Sequence, residues 1–146
     1  LKPSDENVGG FFTFCPFFHK MKRGVTRVLK TKVRGYCDLG ENCSRVILQA
    51  AAEEYGFLLS ENILAACGGI SGGFGIGGIC SGLVAAVMVL GLLFDDEEVK
   101  WKRMLFLMRV QERYGFLDCG RLSALRTDCN EILEEIADIL QEVIEE

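Results

Sequence analysis

The chain has 146 residues, 49% of them hydrophobic, and a formal net charge of −5, enough to bury one core but too short for two. Its seven cysteines follow no secreted disulfide framework, and no stretch near the N-terminus has the order of a secretory signal. A secreted, disulfide-stapled protein is therefore not expected, and a reducing cytoplasm is.

The first ten residues are polar. Residues 11–20 read FFTFCPFFHK and place Phe11, Phe12, Phe14, Phe17 and Phe18 around Cys15 and Pro16. Such a cluster must cover the domain's own core, dock on a second copy of the chain, or lie on a membrane surface, in that order of expectation. Cys15 and His19 form a lone Cys-x-x-x-His pair, which without partners is a weak metal signal. Seven basic residues and no acid follow between Lys20 and Arg34, whereas the last helix is acidic outside. This asymmetry reads as a solvated basic face that attracts the acidic tail of its own or a neighbouring subunit, and nucleic acid is not expected. Residues 1–24 read as an extension and residues 25–146 as the folded domain.

From Val25 to Cys37 apolar residues fall at helical spacing, and Gly40 ends the element. Asn42 caps a helix from Cys43 to about Tyr55, Gly56 closes it, and Ser60 caps the next, which carries Ile63, Leu64 and Cys67. Residues 68–82 read GGISGGFGIGGICSG, with eight glycines around Cys80. Glycine this dense predicts a specially folded loop, because each one inside a helix costs roughly 1 kcal/mol relative to alanine. The loop opens a buried apolar helix over residues 83–94. A longer helix begins in DDEE and runs to Tyr114, with Trp101, Met104, Leu105 and Met108 as its expected inner face. Asp118 caps a short helix from Cys119, and Thr127 caps a last one whose inner face is Cys129, Ile132, Ile136, Ile139 and Val143. No alternating strand pattern competes, so the expected fold is all-α, a bundle of five or six short helices.

Cys43, Cys80, Cys119 and Cys129 thus all fall at predicted helix starts, where free N–H groups and the helix dipole favour a thiolate. Four such residues could converge on an iron–sulfur cluster or a zinc ion, or pair as two reversible disulfides. Taken singly, each could also be a small buried hydrophobe. The glycine loop, through Gly73, Gly75, Gly77 and Gly78, would supply amide donors and room beside such a centre.

Two other readings of this region fail on the sequence. Residues 76–94 carry no charge over nineteen positions, but the glycine-rich first third, the missing basic flank and the DDEE end argue against a membrane span. Gly73, Gly75 and Gly78 fit GxGxxG, yet the preceding strand, the lysine and the acidic ribose ligand of a nucleotide site are missing.

The stretches ENCSRVILQAAAEEYGF, GISGGFGIGGICSGLVAAVMVLGLLF and ERYGFLDCGRL, with Cys129 downstream, resemble the C_GCAxxG_C_C family of redox-active proteins. Where the family has CGAxxG, residues 80–85 read CSGLVA. Carried over by position, its four cysteines are Cys43, Cys80, Cys119 and Cys129, the four already selected by their helix starts. The resemblance implies a redox or electron-transfer role with a redox partner protein. An iron–sulfur cluster on the four thiols is the first expectation, and metal-free thiol–disulfide chemistry or structural zinc are the alternatives. Covalent haem is excluded because no CxxCH occurs. No acid–base pair is legible, so no enzyme is inferred; homo-oligomerisation through the Phe-rich head is a further expectation.

Overall fold

The computed structural model describes residues 27–125 and 128–146. The Phe-rich head, Cys15, His19 and the expected cap Thr127 lie outside these residues. The described part is all-α and holds seven helices, α1 Val28–Asp38, α2 Cys43–Tyr55, α3 Glu61–Ala66, α4 Ser81–Leu93, α5 Asp96–Tyr114, α6 Cys119–Ala124 and α7 Asn130–Glu145. The expectation of five or six is exceeded because α3 and α6, six residues each, stand as separate elements.

Local chemistry sets most boundaries. Asn42 Oδ1 accepts from the Arg45 amide at 3.0 Å, Ser60 Oγ from Ile63 at 3.3 Å and Asp118 Oδ1 from Arg121 at 2.9 Å, while Asp95 Oδ1 accepts from both Glu97 and Glu98. Each of these side chains satisfies N–H groups that the first turn leaves without a partner. Gly56 and Gly115 end α2 and α5 in the left-handed conformation that a residue with a Cβ resists.

The helices pack so that one end of the bundle collects helix starts. The packed helices α2 and α4 begin at the same end, where the Cys80 charge acts on the Cys43 thiol, so these two helices run parallel. Helix α1 lies antiparallel to α7, because Arg27 and Lys30 reach Asp138 while Arg34 forks onto Glu134. The basic face of α1 is thus neutralised by the chain's own acidic tail, as the charge asymmetry suggested. Helix α5 also opposes α7: the Lys102 ammonium donates to the Val143 carbonyl at 2.9 Å, and Arg113 pairs with Glu135. The starts of α2, α4 and α7 therefore share one end with the close of α1 and α5. The opposite end carries the start of α1, the α4–α5 corner and the close of α7.

The core is built from Leu29, Val33, Val46, Ile47, Leu48, Leu83, Val89, Leu90, Phe106, Ile136 and Leu140, all fully buried. Two expected helix faces are corrected. In α5 the buried residues are Lys102, Phe106 and Val110, whereas Trp101, Met104 and Met108 are exposed. The helix is apolar on both sides, and Lys102 buries its aliphatic stem with its ammonium 4.3 Å from the Phe94 ring centroid. In α7 Glu134 was expected outside but is buried. Its carboxylate holds a bidentate bond to Arg34, at 2.7 and 2.6 Å. No helix among the described residues is long and apolar enough to cross a membrane.

Candidate redox centre

The four helix-start cysteines occupy two kinds of position at the same end of the bundle. Cys43 and Cys119 are the first residues of α2 and α6, and Cys80 and Cys129 are the N-caps of α4 and α7. Cys129 is thus the cap itself, one step earlier than the first-turn position expected of it. All four thiols are free; Cys80 is buried and the other three are half-buried.

The glycine segment brings two of them together. Residues 67–70 form a 3₁₀ turn, and Gly73–Gly77 a tight turn containing left-handed residues. The chain then makes a single antiparallel bridge, Ile79 to Asp118. The Cys80 amide donates to the Leu117 carbonyl at 3.0 Å and the Cys119 amide to the Gly78 carbonyl at 2.6 Å. Flanking the bridge, Cys80 and Cys119 fall on one face of this two-stranded contact, since alternate residues share a face.

Space explains the glycines. A Cβ on Gly73, which sits at φ +60°, would meet the Gly78 backbone at 2.5 Å and Cys119 Cβ at 2.9 Å. Gly73 therefore sets how closely the turn approaches Cys119. The Gly78 amide donates inside the turn to the Gly73 carbonyl at 2.9 Å, and Gly75 faces open space. Gly82, expected in the loop, belongs to the first turn of α4. A Cβ there would meet Leu133 Cδ2 at 2.7 Å and Cys80 Sγ at 3.6 Å, so its absence lets α7 close over the Cys80 thiol. Among the described residues Phe74, at φ 63°, is the non-glycine residue with a left-handed backbone, and its side chain is exposed.

The electrostatics reverse one expectation. Helix starts should lower a thiol's pKa, yet burial pushes Cys43 up to about 12, with the charges of Cys80, Cys129 and Cys119 adding to it. Burial likewise raises Cys80, against the pull of the Leu83 and Gly82 amides and with a further push from Cys119 and Cys129. Cys129 is raised by burial, then by Cys119 and Asp128. Desolvation of the thiolate outweighs the helix end, and the charges of neighbouring cysteines raise Cys43, Cys80 and Cys129 further.

A fifth thiol adjoins this group. Cys37, near the close of α1, is pushed up to about 11 by burial, then by Glu134, Asp38, Asp128 and Cys129. Its place on the apolar stripe of α1 was legible, but its nearness to Cys129 depends on the antiparallel α1–α7 packing and was not. Cys67 is buried in the core, as a small apolar residue would be. Among the described residues, no three His, Cys, Asp or Glu side chains are arranged to hold a metal ion.

The family described as "Putative redox-active protein (C_GCAxxG_C_C)" matches residues 41–143, a span that contains all four helix-start cysteines and leaves out α1 with Cys37. No curated protein and no solved structure matches the chain. With most of its length inside that match and its four cysteines at one end of the bundle, the chain belongs to the C_GCAxxG_C_C family.

Proposed function

We propose that this protein is an electron-transfer protein whose working group is the four thiols of Cys43, Cys80, Cys119 and Cys129. One observation carries the reading: all four occupy the N-cap or first position of a helix at the same end of the bundle. Sulfur donors of this number suit an iron–sulfur cluster, and these four cysteines would hold it; when bound it supplies one-electron chemistry. The chain's own part is to gather and shelter the thiolates. The parallel starts of α2, α4 and α7 present their positive ends toward them, Gly73 fixes the approach to Cys119, and Gly82 admits α7 over Cys80. A cationic centre would offset the burial that now holds the thiols of Cys43, Cys80 and Cys129 protonated. Purification without oxygen, followed by visible absorption and iron and sulfide analysis, tests the reading. A coloured protein whose iron is lost in Cys80→Ser supports it, and a colourless, iron-free protein after reconstitution rejects it.

A second reading, thiol–disulfide exchange without metal, is favoured by one observation: no three of these side chains are set around a metal position. In it two thiols lose two protons and two electrons to a disulfide-bonded partner, which is reduced to two thiols. Alkylation with and without reductant, read by mass spectrometry, would show paired cysteines under oxidised glutathione. Four freely alkylated thiols under that oxidant would reject it.

A further inference from the structure

Helices α1 and α7 bring a cysteine outside the four toward one of them. Lys30 pairs with Asp138 at 3.0 Å, and Arg34, one turn on, forks onto Glu134, one turn back. Four residues forward on α1 thus match four residues backward on α7, and the next step in this register brings Asp38 level with Asn130. Cys37 and Cys129 immediately precede those two residues in the chain. At a rise of about 1.5 Å per residue, Cys37 lies ~4.5 Å beyond Arg34 and Cys129 ~7.5 Å beyond Glu134, so the two differ by ~3 Å in height. Cys37 packs against the core, and among the described cysteines it is Cys129, with its neighbour Asp128, whose charge acts on it. Residues that face each other across helices packed about 8–10 Å apart have Cα atoms roughly 4–6 Å apart, the span that a disulfide bridges. Both cysteines sit at helix ends, beside the Gly40 turn and the bend at Asp128, where small adjustments of the backbone cost least.

We propose that Cys37 and Cys129 form a reversible disulfide, a site outside the four-cysteine pattern because α1 precedes the matched residues 41–143. Accessibility supports the pair. Cys67 is 2% and Cys80 7% exposed, whereas Cys37 and Cys129 are half-buried and open to a small reagent. Restraint of the rival supports it as well: Cys119, the other thiol beside Cys129, has its amide bonded to the Gly78 carbonyl and its Cβ packed close on Gly73. As the S–S bond forms, the two thiols lose two protons and two electrons; a small-molecule disulfide such as oxidised glutathione takes them up, and its own S–S bond breaks to give two thiols. The closed pair takes Cys129 away from the other three, so the four-thiol set is incomplete until the bond is reduced. The pairing is independent of what those four hold, and its effect on them rests on the electron-transfer reading above.

The test uses the metal-free, full-length protein, treated with oxidised glutathione, blocked with N-ethylmaleimide and digested without reductant. Trypsin with Asp-N separates the relevant cysteines, releasing residues 35–37, 38–45, 118–121 and 128–137. The expected product is 35–37 linked to 128–137 within the monomer, two hydrogens lighter than its parts. Cys37 alkylation is expected to fall several-fold and to recover with dithiothreitol. In Cys37→Ser, with its far-ultraviolet circular dichroism unchanged, Cys129 is expected to carry glutathione instead. Cys37 alkylated as freely after the oxidant as before overturns the proposal. So does Cys37 linked to Cys43, Cys129 linked to Cys119, or a bond that joins two monomers. Each of these leaves the four-thiol reading standing, whereas the linked peptide in a protein that takes up no iron supports this pair and rejects the cluster.

Discussion

The two ends of this bundle are built by different means. At the cysteine end the backbone does the positioning: helix starts place four cysteines at one end of the bundle, and one antiparallel bridge and glycines at which no Cβ fits set Cys80 beside Cys119. At the other end side chains do it, through the Lys102–Val143 bond, the acidic α4–α5 corner and an apolar stripe left facing outward. Placement by backbone tolerates little substitution, because a misfit there moves the chain itself. Placement by long side chains tolerates more, because a rotamer can give way.

The sharpest contrast lies within the glycine turn. Gly73→Ala adds a Cβ against the Gly78 backbone and Cys119 Cβ, in a left-handed backbone conformation. The loss of stability in urea unfolding should be about 3 kcal/mol or more. Gly75→Ala, at φ +73° but in open space, should lose only about 1 kcal/mol. Equal losses would show that close packing on Cys119 is not what Gly73 is for.

Next comes Arg34→Ala, which leaves the buried Glu134 carboxylate without its bidentate partner. The expected loss is about 2 kcal/mol, read by thermal unfolding. Arg34→Lys should recover part of it, since an ammonium cannot make the same fork.

Two N-cap variants then compare the ends directly. Asp118→Ala and Asp95→Ala each remove a carboxylate that caps a helix, and each should lose about 1 kcal/mol. Only Asp118→Ala should also change the alkylation rate of Cys119. A change of the same size in Asp95→Ala would dissolve the distinction between the ends.

A last contrast is one of pH on the reduced, metal-free protein. Cys43 lies at about 12 and Cys37 at about 11 in the fold, against an ordinary 9.0. The folded state holds these protons more tightly than the unfolded state, so their contribution is complete below pH 9. It is lost as pH rises from 9 through 11 and 12. Urea midpoints should fall across that window, and Cys43→Ala should flatten the fall.

Much of this was legible in the sequence because it is local. Asn42, Ser60, Asp95 and Asp118 mark helix starts that depend on the next three residues alone, and the cysteines beside them came with the caps. What depends on distant chain was not legible. Trp101, Met104 and Met108 have the same periodicity as a core face, and only packing selects Phe106 and Val110 instead. Glu134 reads as a surface acid until Arg34, a hundred positions earlier, is brought to it. Gly82 reads as loop until Leu133 is seen against it. The thiols read as acidified by helix ends, whereas the burial that outweighs this comes from tertiary packing.

The central claim is that Cys43, Cys80, Cys119 and Cys129 act as one centre. Differential alkylation of the full-length protein, resolved by mass spectrometry across imposed redox potentials, with and without iron and sulfide, tests it most directly. The account predicts that these four thiols gain or lose protection together in at least one of those conditions, and that Cys80→Ser exposes the remaining three. Four thiols that are alkylated independently, at rates unmoved by potential, by iron and sulfide or by Cys80→Ser, would contradict it.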